Sequence, residues 1–286
     1  GGDGGGGGGG SSAEMEVVAR GATAGIARDS GGVYQHCRDC EVLELQFDWT
    51  LPVGYHYPDE SNETTYACHG FDLGATIRHA VEFQPLVDNK DVLHHMIVWT
   101  LPYDTRADGY FPCTSMPDDA VPLWTWAVGG GGLRAPATAG FPIGGSGSDG
   151  SSARYVALQV HYDNPTLRTG ISDRSGVRIF STTFLRQHDA GNMFTGTHIG
   201  GRTGLHLPPA MKEIEVRGRC KLDSLPFPLS VFLVGTHAHK LGRGIWIEHW
   251  RDGRMIGVYP NTPHYDFNAQ RGDAANFELR KGDILD

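Results

Sequence analysis

No stretch of this chain approaches the roughly 20 consecutive apolar residues that a membrane-spanning helix needs, so its sequence offers no such span. A basic cluster is missing too. The 24 Lys and Arg are outnumbered by 33 Asp and Glu, a formal charge of −9, which argues against nucleic acid or an anionic membrane surface as the main partner. No apolar stripe of 3.6-residue period runs far enough for a packed helix, and no repeat of solenoid length is present.

Cysteine is scarce. The five are Cys37, Cys40, Cys68, Cys113 and Cys220. A cysteine-built zinc site would call for two Cys-x-x-Cys pairs, and only Cys37-x-x-Cys40 is present. No strand-helix pattern of the thioredoxin type surrounds that pair, which leaves a redox role little support. Scattered cysteines in a chain rich in Gly and Pro favour disulfides and an oxidising compartment. Their odd number points to one partner outside this chain. The first residue is Gly rather than Met, so the sequence is read as a fragment or a processed piece.

What is present reads as β structure. The 286 residues suffice for one large or two ordinary domains. Residues 1–40, heavy in Gly, Ser and Ala, are expected to form a flexible lead-in without a core. From Glu41 onward, short apolar or alternating runs are separated by Gly, Pro, Asn and Asp. Examples are "VLELQFDW" (42–49), "AVEFQPLV" (80–87), "RYVALQVHYD" (154–163), "GVRIFST" (176–182), "EIEVRGRC" (213–220), "LSVFLVGTHAH" (229–239) and "GIWIEHWRDG" (244–253). Many short strands with turn signals predict an all-β sandwich or barrel. "GGGG" (129–132) and "GGSGSDGSS" (144–152) read as loops, and "FLRQHDAGNM" (184–193) as the junction between two domains, 41–186 and 187–286.

Three histidine elements stand out. The first is "VLHHMIVW" (92–99), with His94 and His95 adjacent in an apolar run. Neighbouring side chains of a regular strand point to opposite faces, and burying imidazole without a partner is costly. Either the strand is bulged or ends here, or a metal holds both rings. The second is His161 in "LQVHYDNP", where Leu158, Val160 and Tyr162 share one face and Gln159 and His161 the other. The third is His237-Ala238-His239, where a strand would put both rings on one face. Taken singly, each is an ordinary strand-end or surface histidine. Together they point to metal. All-imidazole sites suit Zn, Cu, Fe or Ni. The Glu of a His-Glu-x-x-His zinc hydrolase is missing, as is the carboxylate of a two-His iron site.

The order "VLHHMIVW", "LQVHYDNP", "THAHKLGR" and "NTPHYDFNAQ" (261–270) resembles the copper type II, ascorbate-dependent monooxygenases. "TTYAC" (64–68), "WTWAVGG" (124–130), "HLPP" (206–209) and "RKGDIL" (280–285) fall in the family's order, and the resemblance covers roughly residues 41–286. It implies two antiparallel, jelly-roll-like β-sandwich domains, the second lacking its last strands, and two coppers. His94, His95 and His161 are the implied ligands of a first, electron-transferring copper. His237, His239 and a methionine expected beyond residue 286 are those of a second, oxygen-activating copper. Met96 and Met193 are the only tempting substitutes for that methionine within the chain. The implied reaction is hydroxylation of an activated C–H bond by O₂, with ascorbate as reductant, on a small-molecule substrate in a secretory lumen or outside the cell. Gln159 and Tyr162, flanking His161, are candidates for supporting it. A disulfide between Cys68 and Cys113 is implied, and a partner for Cys220 beyond residue 286. The arginine that peptide-hydroxylating members carry two positions before the His-x-His is here Gly235, a departure that speaks against a peptidyl-glycine substrate. A non-catalytic copper-binding or interaction module on the same scaffold is the alternative.

Overall fold

The computed structural model describes residues 18–20, 37, 40–50, 64–106, 109–113, 116, 119–145, 153–168, 170–196, 207–238, 240–260, 264–270 and 272–286. Among them there is no helix, and the fold is all-β. Most of the expected lead-in lies outside these residues, although Val18–Arg20 pairs with Glu41–Gln46 at a sheet edge.

Two sheets face each other in the N-terminal part. One runs in the order Val18–Arg20, Glu41–Gln46, Gly176–Thr182, Arg78–Leu86, Ala139–Ile143, His188–Asp189, with Leu133–Arg134 added on Arg78–Leu86. Its pairs are antiparallel except the last, Ala139–Ile143 with His188–Asp189. The other runs Tyr110–Pro112, Thr64–Asp72, Tyr155–Asp163, Leu93–Leu101, Val121–Ala127, antiparallel throughout. Period-2 alternation builds the core between them. Leu43, Leu45, Phe83, Val177 and Ile179 come from the first sheet. Phe71, Met96, Val98, Trp124, Val156, Leu158, Val160 and Tyr162 come from the second.

The outer face of the second sheet is also covered. Thr105 and Arg106 lie over Gly70 and Cys113 lies against Gln159, and the first approach is close enough to require glycine. A Cβ on Gly70 would stand 2.3 Å from Thr105 Oγ1 and 2.8 Å from its carbonyl carbon. Gln159, bonded to the Cys113 carbonyl, and His161, stacked on Tyr66, are both buried on this face, which alternation alone would leave to solvent.

The C-terminal part holds a four-stranded sheet, Cys220–Lys221, Ile284–Leu285, Ile247–Arg251, Arg254–Tyr259, and a pair, Leu229–Gly235 with Gly272–Leu279. Its core is small: Leu222, Leu279 and Leu285, with Leu225, Leu229, Val231, Ile247 and Phe277 against them. Residues 213–219, expected as a strand, form none and lie exposed. No strand pairs with them before Cys220, and the alternation of Ile214 and Val216 cannot supply one.

A polar cluster pins this part together. Asp283 is 1% exposed and accepts hydrogen bonds from Arg251 Nε and Nη2 (both 2.8 Å), the Arg280 backbone N–H (2.8 Å) and His249 Nε2 (2.8 Å). The Arg251 guanidinium, foremost among these donors, holds the Asp283 carboxyl well below the usual carboxylate range.

Candidate metal centre

The adjacent histidines sit at a fault in the sheet. His161 lies opposite His95, but the next pair is Tyr162 with Leu93. His94 is therefore an extra residue, the mark of a β-bulge, which bends a strand and re-aims its side chains. The His94 carbonyl leaves that ladder and accepts the Val128 N–H instead, at 3.0 Å. The bulge lets consecutive side chains converge. His94 Nδ1 lies 3.3 Å from His95 Nδ1, which lies 3.0 Å from His161 Nδ1. One ring nitrogen from each falls within 4.8 Å of the other two. All three rings are held in the protein, with His94 and His161 at 4% and 6% exposure.

This donor set fits a metal ion. An imidazole nitrogen offers one in-plane position, a lone pair or a proton. His95 Nδ1 meets two neighbours with that one position, so a hydrogen bond serves one of them well and not both. Metal–imidazole bonds of about 2.0–2.1 Å, at right-angled to tetrahedral geometry, set two nitrogens roughly 2.9–3.4 Å apart. Both observed separations, 3.0 and 3.3 Å, lie in that interval.

Aromatic faces fix two of the rings. Tyr66, in register with His161, stacks on it with centroids 4.3 Å apart and planes 3° apart. Phe267, from the C-terminal part, stacks on His94 at 4.1 Å and 21°. Gln159, two residues before His161, accepts from Trp99 Nε1 at 3.1 Å and donates to the Cys113 carbonyl. Cys113 is disulfide-bonded to Cys68, which faces Gln159 across the ladder. Tyr162 turns to the core and donates to buried Asp173 at 2.8 Å. Burial, with the Asp173 charge, pushes its phenol well above the usual value.

The second histidine element is placed differently from the sequence expectation. The strand ends at Gly235, and His237 follows it in irregular chain. Past the strand end, the Tyr265 hydroxyl occupies both backbone groups of Ala238. It accepts the N–H at 2.9 Å and donates to the carbonyl at 2.5 Å, so neither is left for a neighbouring strand. His237 Nδ1 donates to Gln270 Oε1 at 2.6 Å. That bond puts the ring proton on Nδ1 and so fixes the tautomer. The His237 ring faces the first cluster, 6.1 Å from that of His95. His239 lies outside the described residues. Met96 is fully buried in the core and Met193 half-exposed. Cys37 is bonded to Cys40, and Cys220 is free and exposed.

Sequence reasoning assigned no role to Tyr66, Tyr265, Phe267 or Gln270. Their only signal was membership of "TTYAC" and "NTPHYDFNAQ", where aromatic residues read equally well as core.

Residues 53–169 match the family described as copper type II ascorbate-dependent monooxygenase, N-terminal domain, and residues 188–286 match its C-terminal domain. Among curated relatives, DBH-like monooxygenase protein 1 of Mus musculus is 32% identical over 242 residues, 76% of this chain and 38% of its own. Tyramine beta-hydroxylase of Caenorhabditis briggsae is 32% identical over 254 residues, 82% of this chain and 42% of its own. Dopamine beta-hydroxylase of Homo sapiens is 32% identical over 244 residues, 79% and 39%. The chain thus spans about two-fifths of the length of these relatives.

Proposed function

The chain belongs to the copper type II ascorbate-dependent monooxygenase family, and on that premise we propose that it hydroxylates an activated C–H bond of a small organic substrate, using O₂ and ascorbate. Family membership implies copper and ascorbate. The observation that carries the proposal is the convergence of His94, His95 and His161 at one bulge. These three would hold one copper, and His237 with His239 would hold a second. Copper, when bound, supplies one-electron redox chemistry and the activation of O₂. The protein's own part is to position and to shield. Tyr66 and Phe267 fix ring planes, Gln270 fixes the His237 tautomer, and burial of His94 and His161 limits the access of bulk water to their rings.

We assign the first site to a domain of residues 41–186 and the second to one of 187–286. Two disulfides favour an oxidising setting, the secretory lumen or the cell exterior. No helix among the described residues is long and apolar enough to cross a membrane. Gly235 brings no side chain that could grip a terminal carboxylate, so peptidyl-glycine is not the substrate we expect. Tyramine and dopamine, the substrates named by two relatives, are the first to test.

The experiment is to load the purified protein with copper and measure metal per chain, ascorbate-driven O₂ uptake and hydroxylated product. His161→Ala is run beside it. The expected result is coupled turnover in the wild type, and in the variant the loss of one copper and most of the product. A wild type that binds no copper, or a variant with undiminished turnover, would overturn the reading.

A further inference from the structure

The segment Tyr265–Gln270 reaches both metal sites, and nothing in its composition announces that. Resting on the copper reading above, we propose that this turn is a positioning element shared by the two sites, with Tyr265 and Phe267 as its positioning residues. Four contacts carry the inference. At one end, the Tyr265 hydroxyl clamps Ala238, the residue between His237 and His239, by both its N–H and its carbonyl. At the other end, the Gln270 side chain holds His237 Nδ1, and the Gln270 backbone N–H donates to Val128 O of the N-terminal part at 3.0 Å. Val128 is the residue whose own N–H binds the His94 carbonyl at the bulge. Between them, Phe267 lies flat on the His94 ring.

The segment can transmit position because it is itself fastened. Asp266 Oδ1 accepts the Asn268 N–H at 2.9 Å, and the Asp266 carbonyl accepts the Ala269 N–H at 3.1 Å. Gln270 Nε2 donates to the Phe267 carbonyl at 2.9 Å, and the Tyr265 N–H is taken by Arg243 O at 2.8 Å. An internally bonded turn moves as one piece. A shift of the His94 ring therefore reaches Gln270 and His237, and the order of the His-Ala-His segment reaches Phe267. The side chain of Asp266 is exposed and touches neither site, so it offers a way to loosen the turn without removing any contact to a ligand.

The test uses copper-loaded protein and four variants: Tyr265→Phe, Phe267→Leu, Asp266→Ala and Asp266→Asn. Copper affinity is measured by competition with a chelator, and the Cu(II) environment by electron paramagnetic resonance, with each site identified by comparison with His161→Ala. A lost ring face or single hydrogen bond predicts a weakening of roughly five-fold, and the two bonds lost in Tyr265→Phe at least that much. Tyr265→Phe should weaken the second site, and Phe267→Leu should weaken the first and change its spectrum. Asp266→Ala should weaken both, and Asp266→Asn, which keeps the acceptor, should restore both. The inference is overturned if Asp266→Ala lowers thermal stability while both copper affinities and spectra stay as in the wild type, because the turn is then only structural. It is also overturned if Tyr265→Phe and Phe267→Leu leave their sites unchanged. A wild type that takes up no copper defeats the function reading itself, and the wild-type control shows that separately.

Discussion

Removing the Cys68–Cys113 bond tests whether the first site owes its order to the fold beneath it. The bond spans a sequence separation of 45 residues. Closing a loop of that length restricts the unfolded chain by about 4 kcal/mol at 25 °C in the chain-entropy treatment, and measured values for native bonds centre on about 2–4 kcal/mol. Both cysteines are buried, at 0% and 3% exposure, so replacement also forfeits some packing. The Gln159 bond is to the Cys113 carbonyl and survives substitution of the side chain in kind, though not in precision. A loss of about 3 kcal/mol in a chain of this size lowers Tm by roughly 6–12 °C. Because a reductant reaches buried sulfur poorly, the perturbation is the double variant Cys68→Ala/Cys113→Ala, followed by calorimetry and by copper analysis. First-site copper should be weakened along with Tm, since Gln159 bridges the disulfide to the strand that carries His161. A double variant that melts within about 2 °C of the wild type would refute the loop-closure reasoning. Free thiols at both positions in native protein would remove its premise.

Two further outcomes follow from buried acidic groups. The Asp283 carboxyl has a depressed pKa, so its stabilisation is present above its unfolded value of about 3.9 and is lost as pH falls through the folded value. Stability of the C-terminal part should therefore drop below about pH 4. Asp283→Asn should be less stable at neutral pH and flatter across the acid range, as read by denaturant midpoints against pH; an unchanged acid limb would contradict the assignment. In the first core, buried Asp173 accepts from Tyr162 Oη (2.8 Å), Ser175 Oγ (2.7 Å) and the Asn89 N–H (3.1 Å). Tyr162→Phe removes one of these donors to a charged acceptor and should cost about 1.5–3 kcal/mol in urea unfolding, with first-site copper retained.

Much of the fold was legible because its strands obey one rule. In "RYVALQVHYD", the side chains of Val156, Leu158, Val160 and Tyr162 alternate into the core, as period 2 demands. The same rule misreads "EIEVRGRC", since alternation states that a segment can half-bury and says nothing about whether a neighbour exists to pair it. It also leaves Gln159 and His161 facing outward, where they are in fact buried, Gln159 against Cys113 and His161 against Tyr66. Those contacts are distant in sequence, as Gln159 with Cys113 and Tyr66 with His161 show. The three histidines of the first cluster could be picked out by residue type and setting. Their aromatic supports could not, because Tyr66 in a strand and Phe267 in a loop carry the signature of ordinary packing.

The two sites differ in what holds their ligands, and this difference has consequences. His94, His95 and His161 stand on paired strands of one sheet, and elements of that kind fix side chains more closely than loops do. The bulge that brings His94 beside His95 is set by the ladder on both sides, with His95 opposite His161 and opposite Ala127. A site held in this way would suit a copper that only passes electrons, the role that the family resemblance implies for it. His237 stands just beyond a strand end and is held by two side chains, Tyr265 through Ala238 and Gln270 through its ring. Its position is therefore adjustable by the turn that carries those side chains. The same turn lays Phe267 on His94. On the proposed assignment, a rigid site on the sheet would bear directly on the element that orders the more adaptable one, and His94 of "VLHHMIVW" is the point at which that contact is made.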